Sequence, residues 1–227
     1  MSLAIFQGLD TLIFSIVAIL VAITVHEFAH AWTATALGDP TARAAGRLTL
    51  NPLAHIDLIG TIALPLALYF VHAPIFGWAK PVPYNPNFVR RGRWGEMLVA
   101  LAGPISNLLL AFVLALPGRI YWINYQALPT DQIYIFLATL VTLNVWLAAF
   151  NLIPIPPLDG SKILYLILDN LGVSYERIMW LEQIGPTLLL FLIFADSLLG
   201  VNILFRLLDP IVTLMHWFVG SSTIPFG

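Results

Sequence analysis

A run from Thr11 to Leu37 limits this chain more than anything else in it: the run is long and apolar enough to cross a membrane, yet carries His26, Glu27 and His30 within it. A membrane-spanning helix needs about 20 mainly apolar residues, and this run exceeds that length. A secretory leader would begin with a basic segment and hold a shorter apolar stretch. Met1 to Asp10 contains no Lys or Arg, so the run reads as a retained helix. Ionisable groups at bilayer depth are costly and mark function by default. The rest of the chain agrees. Of 227 residues, 59% are hydrophobic and 10% charged, with a mean hydropathy of +0.89. Soluble domains carry about 25% charged residues. So few charges cannot cover a water-facing surface, which excludes an ordinary soluble enzyme, a nucleic-acid binder and a disordered tail. A net charge of −2 offers no electrostatic case for an anionic partner. With no cysteine there is no disulfide framework, thiolate ligand or thiol nucleophile.

Further apolar runs follow at Glu96 to Leu116, Ile133 to Leu152, Ile184 to Leu199 and Val201 to Val219. A shorter one, Ile56 to Val71, has Pro65 inside it. Between them, Thr41 to Asn51 alternates loosely around Gly46 and reads as a short hairpin or loop. Ala73 to Trp94 is a basic, proline-rich loop, and Lys162 to Leu171 a short helix. The expected fold is an all-α polytopic membrane protein of about five to six hydrophobic helices. It would include a short membrane-associated β-hairpin or re-entrant region and an unwound proline-rich segment. The whole chain, residues 1–227, is expected to form one membrane-embedded domain, with a motif-bearing core at about 11–171 and C-terminal helices at about 175–227.

In the first run, His26 and His30 stand four apart, so a helix puts both imidazoles on one face, where they can grip one cation. Zinc suits two histidine nitrogens and a carboxylate, with a fourth position left for water. Glu27, beside the pair, can take a proton from that water and deliver it to a leaving amine.

Two histidines leave such a site short of a third ligand. Asp10, Asp39, Asp57, Asp131, Asp169 and Asp196 sit at the ends of apolar runs, where solvated loop roles suffice, and Asp209 can pair with Arg206. Asp159 ends Asn151-Leu152-Ile153-Pro154-Ile155-Pro156-Pro157-Leu158-Asp159-Gly160, where three prolines forbid a continuous helix. An unwound stretch at membrane depth can aim a carboxylate sideways into a cavity. Asp-Gly after proline is also ordinary turn chemistry. The incomplete histidine pair in the same chain favours the ligand reading.

Taken together, His26-Glu27-Phe28-Ala29-His30, Gly103-Pro104-Ile105-Ser106-Asn107 and the 151–160 stretch resemble the three signature motifs of the site-2 proteases, in the family's order and over roughly residues 20 to 162. Those are intramembrane zinc metalloproteases. The resemblance implies that His26, His30 and Asp159 bind one zinc ion, that Glu27 is the catalytic base, and that Asn107 and Asn151 line the site. The residues themselves leave Asn107 open, since an amide one turn after Gly103-Pro104 suits a neighbouring helix as well as a substrate. Asn151, just ahead of the unwound stretch, could polarise a scissile carbonyl as oxyanion donors do. His55, His72 and His216 lie at element ends or outside the motifs and need no catalytic role.

Charge suggests an orientation. Arg43 and Arg47 follow the first run, and Lys80, Arg90, Arg91 and Arg93 precede the next clear one. By the positive-inside rule both loops are cytoplasmic, and Ile56 to Val71 is then re-entrant or tilted rather than a full span. Trp78 and Trp94 flank the second loop as interface anchors do. With Leu37 at the cytoplasmic end, the histidines lie roughly 10–16 Å below that surface. Arg43 to Leu50 is a candidate edge for holding an unwound substrate by strand addition.

The expected activity is hydrolysis of peptide bonds within or near transmembrane helices of substrate proteins, as in regulated intramembrane proteolysis, in the cell membrane with the active site towards the cytoplasm. The bilayer and membrane-helix proteins are the expected partners, with no nucleic acid. The chain is similar to minimal, prokaryote-type members, with neither a PDZ nor a CBS-type domain. A membrane zinc transporter or an inactive zinc-binding scaffold are the alternatives. A transport path needs polar groups through the whole bilayer, whereas here the candidate ligands share one depth.

Overall fold

A computed structural model describes residues 9–70, 77–125, 131–200 and 203–219. The described residues contain no strand. Among them the α-helices are α1 (Leu9–Ala36), α2 (Thr41–Ala44), α3 (Leu64–Phe70), α4 (Arg93–Tyr125), α5 (Gln132–Asn151), α6 (Gly160–Asn170), α7 (Tyr175–Leu199) and α8 (Ile203–Val219). Short 3-10 and π-helical turns occupy Pro52–Ala54 and Leu58–Ala63. Four of the described helices are long and apolar enough to cross a membrane, namely those at Ile13–Ala36, Arg93–Tyr125, Gln132–Asn151 and Tyr175–Ala195.

Packing follows membrane logic rather than aqueous logic. Small residues face inward: Ala18, Ala22, Ala31 and Ala34 on α1, Ala111 and Ala115 on α4, Ala148 and Ala149 on α5 are all buried. Large apolar residues such as Ile16, Ile120, Phe191 and Trp217 face outward. In lipid no hydrophobic force separates leucine from its surroundings, so helices associate where small side chains let backbones approach. The main core joins Ala111 and Ala115 to Val141, Val145 and Ala149, and closes with Ile153, Leu158, Leu189, Leu208 and Val212. Thus α4 is the central element, packed against α1, α5, α6 and α8. Its two internal prolines, Pro104 and Pro117, each remove a ladder hydrogen bond.

The region expected as a hairpin or loop holds no strand. Residues 41–44 form the helical turn α2, and a bend rather than a strand carries the chain to Asn51. Asp39 contributes, because its Oδ1 accepts hydrogen bonds from the Thr41 N–H and hydroxyl two residues on and so holds a tight turn ahead of α2. The candidate edge at Arg43 to Leu50 is therefore no edge strand. The run from Ile56 holds the π turn and α3, which together end at Phe70, and Val71 lies outside the described residues. At 1.5 Å per residue this helical piece spans at most roughly 20 Å, short of the ~30 Å hydrocarbon layer.

The basic loop is stitched to the end of α1 and to the turns between α2 and α3. The Arg90 N–H donates to Leu37 O (3.0 Å), Lys80 N–H to His55 O (3.0 Å) and Trp78 N–H to Gly60 O (3.2 Å). Arg47 donates to the Lys80 carbonyl. Asp39 Oδ2 accepts from the Asn85 N–H at 2.6 Å. A further bond, from the Val82 N–H to the Glu27 carboxylate, holds the loop against α1 itself.

Candidate metal centre and its surroundings

The helical spacing of His26 and His30 stacks their rings edge to face, with centroids 4.6 Å apart. Each ring is oriented by a hydrogen bond at Nδ1. His30 Nδ1 lies 2.7 Å from the backbone carbonyl of Val99 on α4. A carbonyl only accepts, so Nδ1 carries the hydrogen and Nε2 presents a lone pair. His26 Nδ1 lies 2.6 Å from Asn107 Oδ1, also on α4, with the same result. Metal-ligating histidines are commonly held in this way, with the second ring nitrogen donating to an oxygen that fixes the tautomer.

Gly103 makes the approach of α4 possible. A Cβ at this position would fall 2.5 Å from His30 Nε2 and 2.6 Å from His26 Nε2. Only glycine leaves room for both imidazole edges against the α4 backbone.

Asp159 arrives from the other side. After α5 ends at Asn151, residues 152–159 run irregularly through Pro154, Pro156 and Pro157, with a cis bond between the last two. Gly160 closes the loop tightly, because a Cβ there would meet Leu152 O at 2.2 Å. Asp159 stands at the position that would cap α6, but its side chain makes no capping bond. It turns instead to the histidines, with Oδ2 3.1 Å from His26 Nε2 and 3.4 Å from His30 Nε2. One donor atom from each of the three residues lies within 4.8 Å of the others. Asp159 Oδ2 is buried and has no hydrogen-bond partner.

Glu27 is half-buried, and its Oε2 accepts a hydrogen bond of 2.9 Å from the Val82 N–H. Asn151, the last residue of α5, donates through Nδ2 to Leu147 O on its own helix (2.9 Å). Asn107 is fully buried. Both of its amide hydrogens are engaged, with Ala22 O at 3.0 Å and Asn144 Oδ1 at 2.7 Å. Of the two uses open to it from sequence, a bond to neighbouring helices is the one the geometry displays, with His26 among its partners. His55 is buried and its Nε2 meets Thr49 O at 2.9 Å, while His72 lies outside the described residues.

Sequence reasoning passed over Val82, Val99 and Asn144. Val82 and Val99 carried no signal, because they act through their backbones. Asn144 did carry one: it is an amide in the middle of an apolar span, where a polar group needs a reason.

Peptidase family M50, the site-2 protease family, matches this chain over residues 14–121 and 115–192. The chain belongs to family M50. Over 207 residues it is 35% identical to the Bacillus subtilis protein named "Putative zinc metalloprotease YwhC", covering 90% of each chain. It is 34% identical over 118 residues to "Zinc metalloprotease MJ0392" of Methanocaldococcus jannaschii, a match covering 52% of this chain and 33% of that one. A Mycolicibacterium smegmatis relative, Rip2, is 34% identical over 141 residues, or 62% of this chain and 52% of its own. No solved structure matches the chain. This M50 protein is therefore an integral membrane metalloprotease by family. The three motifs that carry the resemblance lie on α1, on α4 and across the end of α5 into the loop before α6.

The donor set fits the metal that the family implies. Two imidazole lone pairs and a carboxylate oxygen converge, and with each Nδ1 hydrogen used elsewhere the group is suited to share a cation. Nitrogen and carboxylate donors in this number are those of catalytic zinc sites.

Proposed function

We propose that this chain is an intramembrane zinc metalloprotease that cuts peptide bonds within or near the transmembrane helices of other proteins. In this reading His26, His30 and Asp159 hold the zinc, Glu27 is the catalytic base and the whole chain forms one membrane-embedded unit. The observation that carries it is the convergence of three donor atoms at 3.1 and 3.4 Å, inside a bundle of membrane-length helices and next in sequence to a carboxylate.

Zinc bound there would supply a Lewis acid that acidifies water and polarises a carbonyl. The chain's own residues do the remainder. Glu27 takes the proton from the attacking water and passes it to the leaving nitrogen, so that one carboxylate serves as base and then as acid. The Val82 N–H orients that carboxylate by holding Oε2. Val99 and Asn107 keep both ring tautomers fixed while the site turns over. Asn151 has an amide hydrogen beyond the one given to Leu147, and in this proposal it stabilises the charge that develops on the scissile carbonyl oxygen. The enzyme acts in the cell membrane with its site towards the cytoplasm, on membrane-helix substrates, in the manner of regulated intramembrane proteolysis. The grouping of arginines and lysine at 43, 47, 80, 90, 91 and 93 supports that orientation.

The test is zinc content of the purified chain together with cleavage of a panel of single-span membrane peptides reconstituted in liposomes. About one zinc per chain is expected, with cutting inside or beside the spans that stops on chelation and returns with zinc. Full zinc with no cutting of any peptide would replace the protease reading with that of a binding scaffold.

A further inference from the structure

Four polar groups form one unbroken chain across three helices. His26 Nδ1 on α1 donates to Asn107 Oδ1 on α4, Asn107 Nδ2 donates to Asn144 Oδ1 on α5, and Asn144 Nδ2 donates to the Leu140 carbonyl one turn earlier on α5. The distances are 2.6, 2.7 and 2.8 Å. Both asparagines are 0% exposed. We propose that Asn144 is a positioning residue for the metal centre: it holds the Asn107 amide the right way round and thereby fixes the tautomer of His26.

The two edges of a carboxamide have almost the same shape but opposite hydrogen-bonding character. In the observed orientation the oxygen edge faces His26, so the ring must donate from Nδ1, and its Nε2 lone pair is left facing Asp159. Turned over, Asn107 would offer N–H to Nδ1. The ring hydrogen would then move to Nε2, and His26 would no longer present a lone pair to a metal. Two acceptors oppose the flip, Ala22 O and Asn144 Oδ1. Asn144 could itself turn over, which would set its own N–H against Asn107. Its bond to a helix carbonyl prevents this, because that carbonyl has a fixed direction and can only accept. With both amides fully buried, each wrong orientation leaves polar atoms unpaired. The chain of constraint thus ends on the backbone, at Leu140.

This inference rests on the reading of His26 as a metal ligand, and the experiment separates the two. Asn144→Leu keeps the side-chain branching, heavy atom for heavy atom, and removes both polar edges. It is made alone and in an Asn107→Leu background, where no amide is left for Asn144 to orient. Zinc affinity is measured by chelator competition, and the visible spectrum of the cobalt-loaded chain reports the ligand set. Thermal unfolding of the metal-free protein reports folding. Loss of a group that orients a ligand typically weakens binding about 10- to 100-fold, and Asn144→Leu is expected to fall in that range with an altered cobalt spectrum. In the Asn107→Leu background the same change should alter affinity by no more than about twofold, the non-additivity of two residues that act through one network. Asn144→Ala gives the same reading if the leucine variant does not fold. Wild-type affinity in Asn144→Leu, or an equal loss in both backgrounds, would overturn the relay and leave Asn144 a packing residue. A His26→Ala variant with unchanged zinc affinity would instead overturn the ligand assignment beneath it.

Discussion

Glu27 and Val82 are joined by a 2.9 Å hydrogen bond from the loop backbone to a carboxylate inside the first membrane helix. That bond ties the basic loop to the position where proton transfer is proposed. Glutamine at position 27 could still accept from Val82 but could not take a proton. General acid–base groups contribute about 10²- to 10⁴-fold. Glu27→Gln should therefore keep its zinc and lose at least about 100-fold in cleavage rate. Cleavage at the wild-type rate would end the proposed role.

Gly103 is the place where a single methyl group should separate metal binding from stability. In a helix interior alanine is favoured over glycine by about 0.8–1.0 kcal/mol. A Cβ there, however, would lie 2.5–2.6 Å from His30 Nε2 and His26 Nε2. Gly103→Ala should thus weaken zinc binding by at least about tenfold, the scale on which displaced ligand supports act. The metal-free melting temperature should fall little. Wild-type zinc affinity would show that the rings can yield, against the tight packing at Gly103.

Removing Asp159 opens the third side of the donor set. Asp159→Ala should lower bound zinc, because two imidazoles make a poorer site than two imidazoles and a carboxylate. Metal analysis after dialysis checks this. Full occupancy would exclude Asp159 from the ligands.

Asp39 latches the loop to the end of α1 and gives a pH signature. Burial raises its pKa, but bonds from the Thr41 hydroxyl and from the Asn85 and Thr41 N–H groups outweigh this and hold the carboxyl below its ordinary range. A depressed pKa means the ionised form stabilises the fold. That contribution is complete above the unfolded value of about 3.9 and is lost as pH falls through the lower folded value. Limited proteolysis of residues 77–92 should therefore accelerate as pH drops below about 4. Asp39→Ala should unfold more readily by about 1–3 kcal/mol at neutral pH, as for a buried hydrogen-bonded group left unpaired. A loop equally protected in both proteins would dismiss the latch.

Topology can be read from Asn87, which is exposed on the basic loop. A cysteine placed there should react with an impermeant thiol reagent only after the membrane is opened. Labelling of intact cells would put the loop outside and reverse the orientation inferred from charge.

The class, the long spans and the pairing of His26 and His30 on one helix face were legible in the residues alone, because they rest on local rules. A run of apolar residues must become a helix in lipid, and residues four apart must share a face. Three prolines within four residues, at 154, 156 and 157, likewise end a helix, whereas the widely spaced prolines of α4 do not. Partners distant in the chain settled the rest. Residues 41–51 read as a hairpin or a loop by their loose alternation, but the bonds from Thr41 to the buried Asp39 carboxylate set a tight turn into α2 and leave no strand. Asn107 was left between helix and substrate because an amide's role is fixed only by what faces each edge, and here Ala22, Asn144 and His26 do so from two other helices. Periodicity along one helix specifies which side faces inward. It does not specify which carbonyl or amide will be met there, and hydrogen-bond direction, on which the His26 and His30 tautomers depend, is set only at that meeting.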